Sequence, residues 1–386
     1  MALPRLWGAL RALQGALLSL ATTSPAIQTR GGFHTLRVAA VEAVAQDALA
    51  ISFTVPPELR ERFRYEAGQH LTLRARIKGS EVRRTYSICT APFLEQLQVG
   101  VRRVPGGALS EHIFGQVRAG VELEVMVPAG RFTLPFDREA ERTYVAVVAG
   151  SGITPILALA AQALEAEPRS EMIIFYGNRT VESAMFLEEL ADLKDRHTSR
   201  LQVVHVFSRQ RQQVDLNNGR LDGPKIRLLV ERFVAEPQKV AAFLLCGPFP
   251  MIHEARALLL ALGVAEEKVK AELFFVEDEA PVRSMEEQRA MAEPGQVLVR
   301  ARLNGRETQF PMSRSEKIVD ALSALRPDAP FSCKGGVCGT CRALLLEGRV
   351  AMDHTYALEE GDRIGGYVLT CQSHPLSDSV VVDYDA

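Results

Sequence analysis

Four cysteines near the C-terminal end of the sequence, Cys333, Cys338, Cys341 and Cys371, have the types and spacing most directly tied to a chemistry. The first three lie in Ser332-Cys333-Lys334-Gly335-Gly336-Val337-Cys338-Gly339-Thr340-Cys341, so the pattern is C-x4-C-x2-C with a distant fourth thiol. This spacing holds a single [2Fe–2S] cluster, which takes and gives one electron at a time. Gly335, Gly336 and Gly339 suit such a loop, which must turn tightly and aim backbone N–H groups at sulfur. A zinc site is the competing reading, but zinc motifs usually pair their cysteines closely, and no histidine falls in the pattern. Whatever else this chain binds must supply or consume single electrons.

Four segments upstream have residue types suited to nucleotides. Arg84-Thr85-Tyr86-Ser87 reads as part of a strand, and Gly106-Gly107-Ala108-Leu109-Ser110 follows it. In the second segment backbone N–H groups, the Ser110 hydroxyl and a helix start can meet a pyrophosphate. Arg84 could neutralise that phosphate, Tyr86 offers a flat ring to a flavin, and Ser87 offers a hydroxyl to its N5 edge. Each is weak alone, since Arg-x-Tyr-Ser also suits an ordinary half-exposed strand. Gly150-Ser151-Gly152-Ile153-Thr154-Pro155 opens a helix after an apolar run, and its glycines let the backbone approach a dinucleotide phosphate. It is not G-x-G-x-x-G, and a plain capping turn competes with this reading. Cys246-Gly247-Pro248-Phe249-Pro250-Met251 follows another apolar run, where α/β sheets bind ligands. Cys246 could rest against a nicotinamide ring or be an inert buried thiol.

These residues need scaffolds, and the hydrophobic pattern supplies three. From Leu36 to about Phe136 the chain reads as short strands with period-two alternation, such as Val121-Glu122-Leu123-Glu124-Val125-Met126-Val127, separated by Pro and Gly turns. That predicts a small antiparallel barrel or sandwich. From Tyr144-Val145-Ala146-Val147-Val148-Ala149 onward, continuous apolar strands alternate with helices near 155–166, 185–196 and 225–234. That predicts a doubly wound parallel sheet. Between Glu277 and Gly295 charge rises and periodicity is lost, as in a linker, and strands resume at Gln296.

Composition narrows the function further. A formal charge of −2 leaves no global basic field to draw in nucleic acid. Six cysteines in 386 residues, four of them in the cluster pattern, argue against a disulfide framework and for a reducing compartment. The first acidic residue is Glu42, and Leu3, Leu6, Trp7, Leu10, Leu13 and Leu17 recur at helical spacing with arginines among them. An acid-free, Arg-bearing amphipathic start fits an organelle transit peptide; a disordered extension or an unused upstream start codon fits as well. The apolar run from Ala12 to Ala21 is too short to span a membrane.

Taken in order, Arg-x-Tyr-Ser, Gly-Gly-x-x-Ser, Gly-Ser-Gly-Ile-Thr-Pro and Cys-Gly-Pro-x-x-Met resemble the ferredoxin–NADP reductase superfamily, with a plant-type ferredoxin fused at the C-terminus. Val101-Arg102-Arg103-Val104-Pro105-Gly106-Gly107, Phe175-Tyr176-Gly177-Asn178-Arg179 and Ser208-Arg209 extend the likeness to the reductases of phenylacetyl-CoA 1,2-epoxidases, which act in aerobic phenylacetate degradation. Reductases of 3-ketosteroid-9α-hydroxylases share the layout. The resemblance implies a multidomain α+β and α/β chain: an extension over 1–35, an FAD-binding β-barrel over 36–138, an NAD(P)-binding domain over 139–276, a linker over 277–295 and a β-grasp ferredoxin domain over 296–386. It implies FAD held by Arg84, Tyr86, Ser87, Gly106, Gly107 and Ser110. Relatives often carry a basic residue where this chain has Ala108. Nucleotide would meet Gly150, Gly152, Thr154, Ser208, Cys246, Gly247 and Pro248, with Glu272 brought towards the flavin.

Arg179 and Arg209 follow the second and third parallel strands, where cations would meet a ribose 2′-phosphate. Neither loop offers the acid that an NADH enzyme tends to place there, so NADPH is expected. The implied activity is electron transfer from NADPH through FAD and the cluster to an oxygenase, with no nucleophile or acid–base pair required. A di-iron phenylacetyl-CoA epoxidase is the expected acceptor; a Rieske-type or steroid oxygenase is the alternative, and a redox sensor without turnover is a reading from another class. Lys334 and Arg342 are candidates for the docking face. The expected place is the cytoplasm, or an organelle matrix if the N-terminal segment is a transit peptide.

Overall fold

The computed structural model describes residues 32–274, 281 and 283–386. The candidate transit peptide and its amphipathic helix therefore lie outside the described residues. Among those described, no helix is long and apolar enough to cross a membrane.

The first unit is an antiparallel six-stranded sheet: β1 (Phe33–Ala45), β2 (Ala48–Thr54), β3 (His70–Ile77), β4 (Ser80–Ser87), β5 (Leu97–Arg102) and β6 (Glu122–Met126), in the order β4-β3-β6-β1-β2-β5. Alternation decides which side of β6 faces inward: Leu123 and Val125 are buried, while Glu122 and Glu124 face water. An antiparallel bridge from Ile88 to Val99, with the Cys89 N–H donating to the Gln98 carbonyl (3.0 Å), ties the end of β4 to β5 and closes the sheet. Helix α1 (Ala108–Gln116) adds Leu109 and Ile113 to a core that holds Leu71, Leu73, Val99 and Val125.

The second unit is a wholly parallel sheet of β7 (Thr143–Ala149), β8 (Glu171–Asn178), β9 (Leu201–Phe207), β10 (Ala242–Gly247) and β11 (Val269–Leu273), ordered β11-β10-β7-β8-β9. Residues 144–148 of the central β7 are buried throughout, as its unbroken apolar run predicts. Helices α2 (Ile153–Ala166) and α3 (Leu187–Arg196) cover one face, and α4 (Gly223–Phe233) and α5 (Phe249–Ala261) the other. The chain runs outward from β7 to β9 and then returns to β10 on the opposite side. The carboxyl ends of β7 and β10 therefore adjoin at a switch point, where such sheets form their ligand crevice.

The linker was expected to lack regular structure; instead it holds helix α6 (Met285–Ala292). The reason is local. Ser284 and Glu287 form a reciprocal capping box at its start, and no residue of the helix is buried, so no hydrophobic period announced it.

The third unit is a mixed sheet of β12 (Gln296–Leu303), β13 (Arg306–Ser313), β14 (Arg342–Glu347), β16 (Tyr367–Leu369) and β18 (Ser379–Asp383), ordered β13-β12-β18-β14-β16, with only β12 and β18 parallel. A small ribbon of β15 (Val350–Met352) and β17 (Ser373–Pro375) lies beside it, with α7 (Ile318–Leu325) and α8 (Glu360–Ile364). Ile318, Val319 and Leu322 of α7 pack into the same core as Val299, Phe310 and Val382.

Asp353 ties the linker to this unit. Its carboxylate accepts from Arg283, lies 3.0 Å from Lys317 Nζ and 3.3 Å from His374 Nε2, and is only 8% exposed. Burial pushes the carboxyl pKa up, but hydrogen bonds from Arg283 and Lys317 and the charge of His374 outweigh it and hold the value at about 2. A depressed folded-state pKa stabilises above the unfolded value and is lost as pH falls through the folded one, a contribution of about 2 kcal/mol. Asp353→Asn should therefore cost roughly that much in denaturant unfolding at neutral pH, and the gap to wild type should shrink from about pH 5 to about pH 2.

Candidate active site

Strand β4 divides its side chains between two environments. Arg83 and Ser87 are buried, Arg84 is exposed and Tyr86 is partly covered. Among the described residues Arg84 bonds to the Arg83 carbonyl (2.8 Å) and to no carboxylate, so its charge is available to an anion. Burial pushes the Tyr86 phenol pKa well up, keeping the ring neutral. The loop after β5 turns at Gly106 (φ +75°), and a Cβ on Gly107 would lie 2.8 Å from Ser110 Oγ. Ser110 is buried: its Oγ accepts from the Val104 N–H (3.1 Å) and donates to the Gly107 carbonyl (3.2 Å). In this arrangement Ser110 shapes the loop, and the first turn of α1 has no side-chain cap on its N–H groups.

Residues far apart in sequence meet where β4 approaches the parallel sheet. Ser87 Oγ donates to Glu272 Oε2 (3.2 Å), and His70, paired with Ser87 across β3 and β4, places Nδ1 3.8 Å from Glu272 Oε1. Glu272 stands opposite Cys246 in the β10–β11 register. Burial, then the Glu272 carboxylate, pushes the Cys246 thiol pKa well up, so it is a neutral thiol here. His70 Nε2 is buried without a hydrogen-bond partner. His70 escaped the sequence reading because nothing local marks it; only the strand register does.

A cleft of about 840 Å³ lies at the switch point, lined by Gly150, Ser151, Arg179, Ser208, Gly247 and Pro248 among others. Gly152 and Thr154 do not line it. A Cβ on Gly152 would fall 2.1 Å from the Cys246 carbonyl oxygen, so that glycine lets the start of α2 pack against the end of β10. Thr154 is 1% exposed, donates to the Ser151 carbonyl (2.9 Å) and backs Gly100 of the barrel. Arg179 lines the cleft but also pairs with Asp47 (3.0 Å), which comes from the turn between β1 and β2 and also holds Arg102 (2.7 Å). Thus an acid does lie beside the expected phosphate site, delivered by another domain. Arg209 is exposed and donates its N–H to the Arg179 carbonyl (2.9 Å). Arg220, Phe249 and Phe274 line the cleft too, and the sequence reading did not assign them to it. Another groove of about 830 Å³, between α4 and α5, contains none of the motif residues.

Phe249 also faces the third unit: its ring centre is 5.6 Å from that of Tyr356, which stacks on His354 at 5.1 Å. The His354 carbonyl borders Gly336 of the cysteine loop, and Ala357 donates to the Gly336 carbonyl (2.9 Å).

All six cysteines are free thiols. The thiols of Cys338 and Cys371 pull the Cys333 pKa well down, while Cys333, followed by burial, pushes Cys338 up. Cys333 and Cys341 likewise push Cys371 up, so the four sulfurs are electrostatic neighbours. Cys338 Sγ itself donates to Thr340 Oγ1 (3.2 Å). Gly335 N–H (3.3 Å) points at Cys333 Sγ, and Gln372 Nε2 (3.3 Å) at Cys371 Sγ. Among the described residues no three metal-binding side chains converge as a single ion would require, whereas four thiols around two irons need not share one point.

The chain matches the family models of an oxidoreductase FAD-binding domain over residues 35–134, an oxidoreductase NAD-binding domain over 147–257 and a 2Fe-2S iron-sulfur cluster binding domain over 301–376. It is 42% identical over 355 residues to a subunit of the 1,2-phenylacetyl-CoA epoxidase of Escherichia coli K12, covering 92% of this chain and 98% of that protein. The chain belongs to this family of flavin and iron–sulfur reductases. The ferredoxin reductase component of 3-ketosteroid-9-alpha-monooxygenase from Rhodococcus rhodochrous is 32% identical, over 90% of this chain and 96% of that one. The phthalate dioxygenase reductase structure shares the fold (TM-score 0.54, 24% identity, 91% and 98% coverage), as does part of a type IV self-sufficient cytochrome P450 monooxygenase (0.63, 24%, 91% and 41%).

The protein is thus an oxidoreductase with FAD-, NAD- and [2Fe–2S]-binding domains, and the observed donors fit those groups. The unpaired Arg84, the uncapped start of α1 and the buried, unpartnered His70 Nε2 suit a flavin dinucleotide. Four neighbouring thiols with N–H donors suit the cluster. Gly152→Ala should destabilise the nucleotide unit by about 3 kcal/mol, because backbone must move on both sides, and should weaken nucleotide binding with it. Denaturant unfolding and nucleotide titration check both.

Proposed function

We propose that the protein takes electrons pairwise from NADPH and delivers them singly to a di-iron oxygenase acting on phenylacetyl-CoA. The observation that carries this reading is the meeting of three units on one strand. Ser87 of β4 bonds to Glu272 of the nucleotide sheet (3.2 Å), while Arg83 of the same strand stacks on Phe331 (3.8 Å), two residues before Cys333. Bound FAD supplies the conversion between a hydride and single electrons. The chain's own residues supply position: Arg84 and the uncapped turn at Gly107 bind phosphate, and Tyr86 covers the ring. Ser87 and Glu272 offer a hydrogen-bonded pair able to hold a proton at the Ser87 Oγ. Gly247 and Pro248 border the space for the nicotinamide, with the neutral Cys246 thiol behind them.

The 42% identity to the epoxidase component favours that acceptor, and the 32% identity to the steroid monooxygenase component makes a steroid or Rieske-type oxygenase the second reading. The reducing cytoplasm suits it as its place of action, since six cysteines in 386 residues, four of them in the cluster pattern, leave no disulfide framework. Reconstitution of the purified protein with each oxygenase decides between acceptors: phenylacetyl-CoA epoxidation is expected, and steroid hydroxylation in its place overturns the assignment. A sensor would leave ferricyanide and cytochrome c almost unreduced by NADPH; rapid reduction of both is expected.

Preference for NADPH rests on Arg179 and Arg220, which line the cleft, and on the exposed Arg209, whose backbone bonds to that of Arg179; Arg179 is partly neutralised by Asp47. Removing one charged contact to a phosphate costs about 1.5–3 kcal/mol. Arg179→Ala and Arg209→Ala together should lower the NADPH:NADH ratio of kcat/KM by at least about tenfold. An unchanged ratio overturns the preference.

A further inference from the structure

Arg83 neighbours the proposed flavin-phosphate arginine in sequence, yet its side chain is 4% exposed and turned towards the third unit. Nη1 donates to the Ala329 carbonyl (3.0 Å), Nη2 to the Pro327 carbonyl (3.3 Å) and Nε to Glu81 Oε1 (2.8 Å). Its guanidinium carbon sits 3.8 Å from the centre of the Phe331 ring and 4.9 Å from that of Phe33. Burial pulls its pKa down and the Glu81 carboxylate pushes it back. One planar group therefore grips the backbone and the aromatic ring that lead into the cysteine loop, using every edge and a face that a lysine lacks. Among the described residues a second polar bridge from barrel to cluster unit joins Arg131 to the buried Asp362 (2.6 Å), with Arg131 itself 54% exposed. The Arg131 guanidinium meets solvent, whereas that of Arg83 is dry.

We propose that Arg83 is a positioning residue that seats the [2Fe–2S] unit against the flavin strand, and so governs the one-electron step while leaving hydride entry alone. This rests on the flavin-to-cluster route proposed above. No bond is made or broken: one electron moves at a time, and Arg83 fixes the gap it crosses. Misplacement of about 1 Å can slow a reacting pair a hundredfold.

The test uses the full-length holoenzyme, mixed anaerobically with NADPH in a stopped-flow instrument and followed separately at flavin and cluster absorbances. In Arg83→Ala, flavin reduction should stay within about twofold of wild type and cluster reduction should fall by about tenfold or more. Should Arg83→Ala not fold, Arg83→Lys, which keeps charge and stem but loses the fork, and Phe331→Leu, which removes the stacked ring, should show the same split. Small-angle scattering of the same proteins should give a larger maximum dimension, a readout independent of turnover. Unchanged cluster reduction in a folded variant, or equal slowing of both steps, overturns the proposal. Failure of NADPH to reduce the flavin of the wild type would instead overturn the proposed function.

Discussion

The arrangement depends on one carboxylate that crosses a domain boundary. Glu272 is the penultimate residue of the edge strand of the parallel sheet, is only 13% exposed, and accepts from Ser87 of the barrel with His70 nearby. A largely covered carboxylate is costly unless a donor reaches it, and here the donor, Ser87, comes from across the boundary. The cleft between the carboxyl ends of β7 and β10 then opens beside the end of β4. A flavin edge and a nucleotide ring can meet there only because the sheets share this corner.

Arginines recur among the polar contacts between units. Arg102 reaches Asp47 (2.7 Å) and the Ser183 carbonyl (2.6 Å), Arg83 reaches Pro327 and Ala329, and Arg131 reaches Asp362. Guanidinium suits this task because it stays charged, bonds in several directions and stacks on rings. The cluster unit keeps its own hydrophobic core around Val299. Barrel and nucleotide sheet share one: Ala48, Ala50, Cys89 and Phe132 are buried in the same cluster as Ile153, Leu157 and Phe186. Apolar packing therefore joins those two units, and the polar contacts set its register.

Much of this was legible in the amino-acid order. Period-two and continuous apolar runs marked strands such as β6 and β7, because burial on one face or two leaves a one-dimensional trace. The cysteine spacing was legible because a loop must wrap the cluster within a few residues. Contacts made between units leave no such trace. Asp47 lies in a two-residue turn, His70 at a strand start, and Tyr356 in an irregular loop; their partners are known only once the sheets are placed. For the same reason the packing of Gly152 on Cys246 and of Thr154 on Gly100 left no mark in the sequence. Helix α6 was missed because it buries nothing.

Phe249 lines the nucleotide cleft and also meets Tyr356 of the cysteine-bearing unit. One ring is thus touched from both sides. A ligand that bound more tightly when that unit is seated would, by reciprocity, favour the seated arrangement by the same factor.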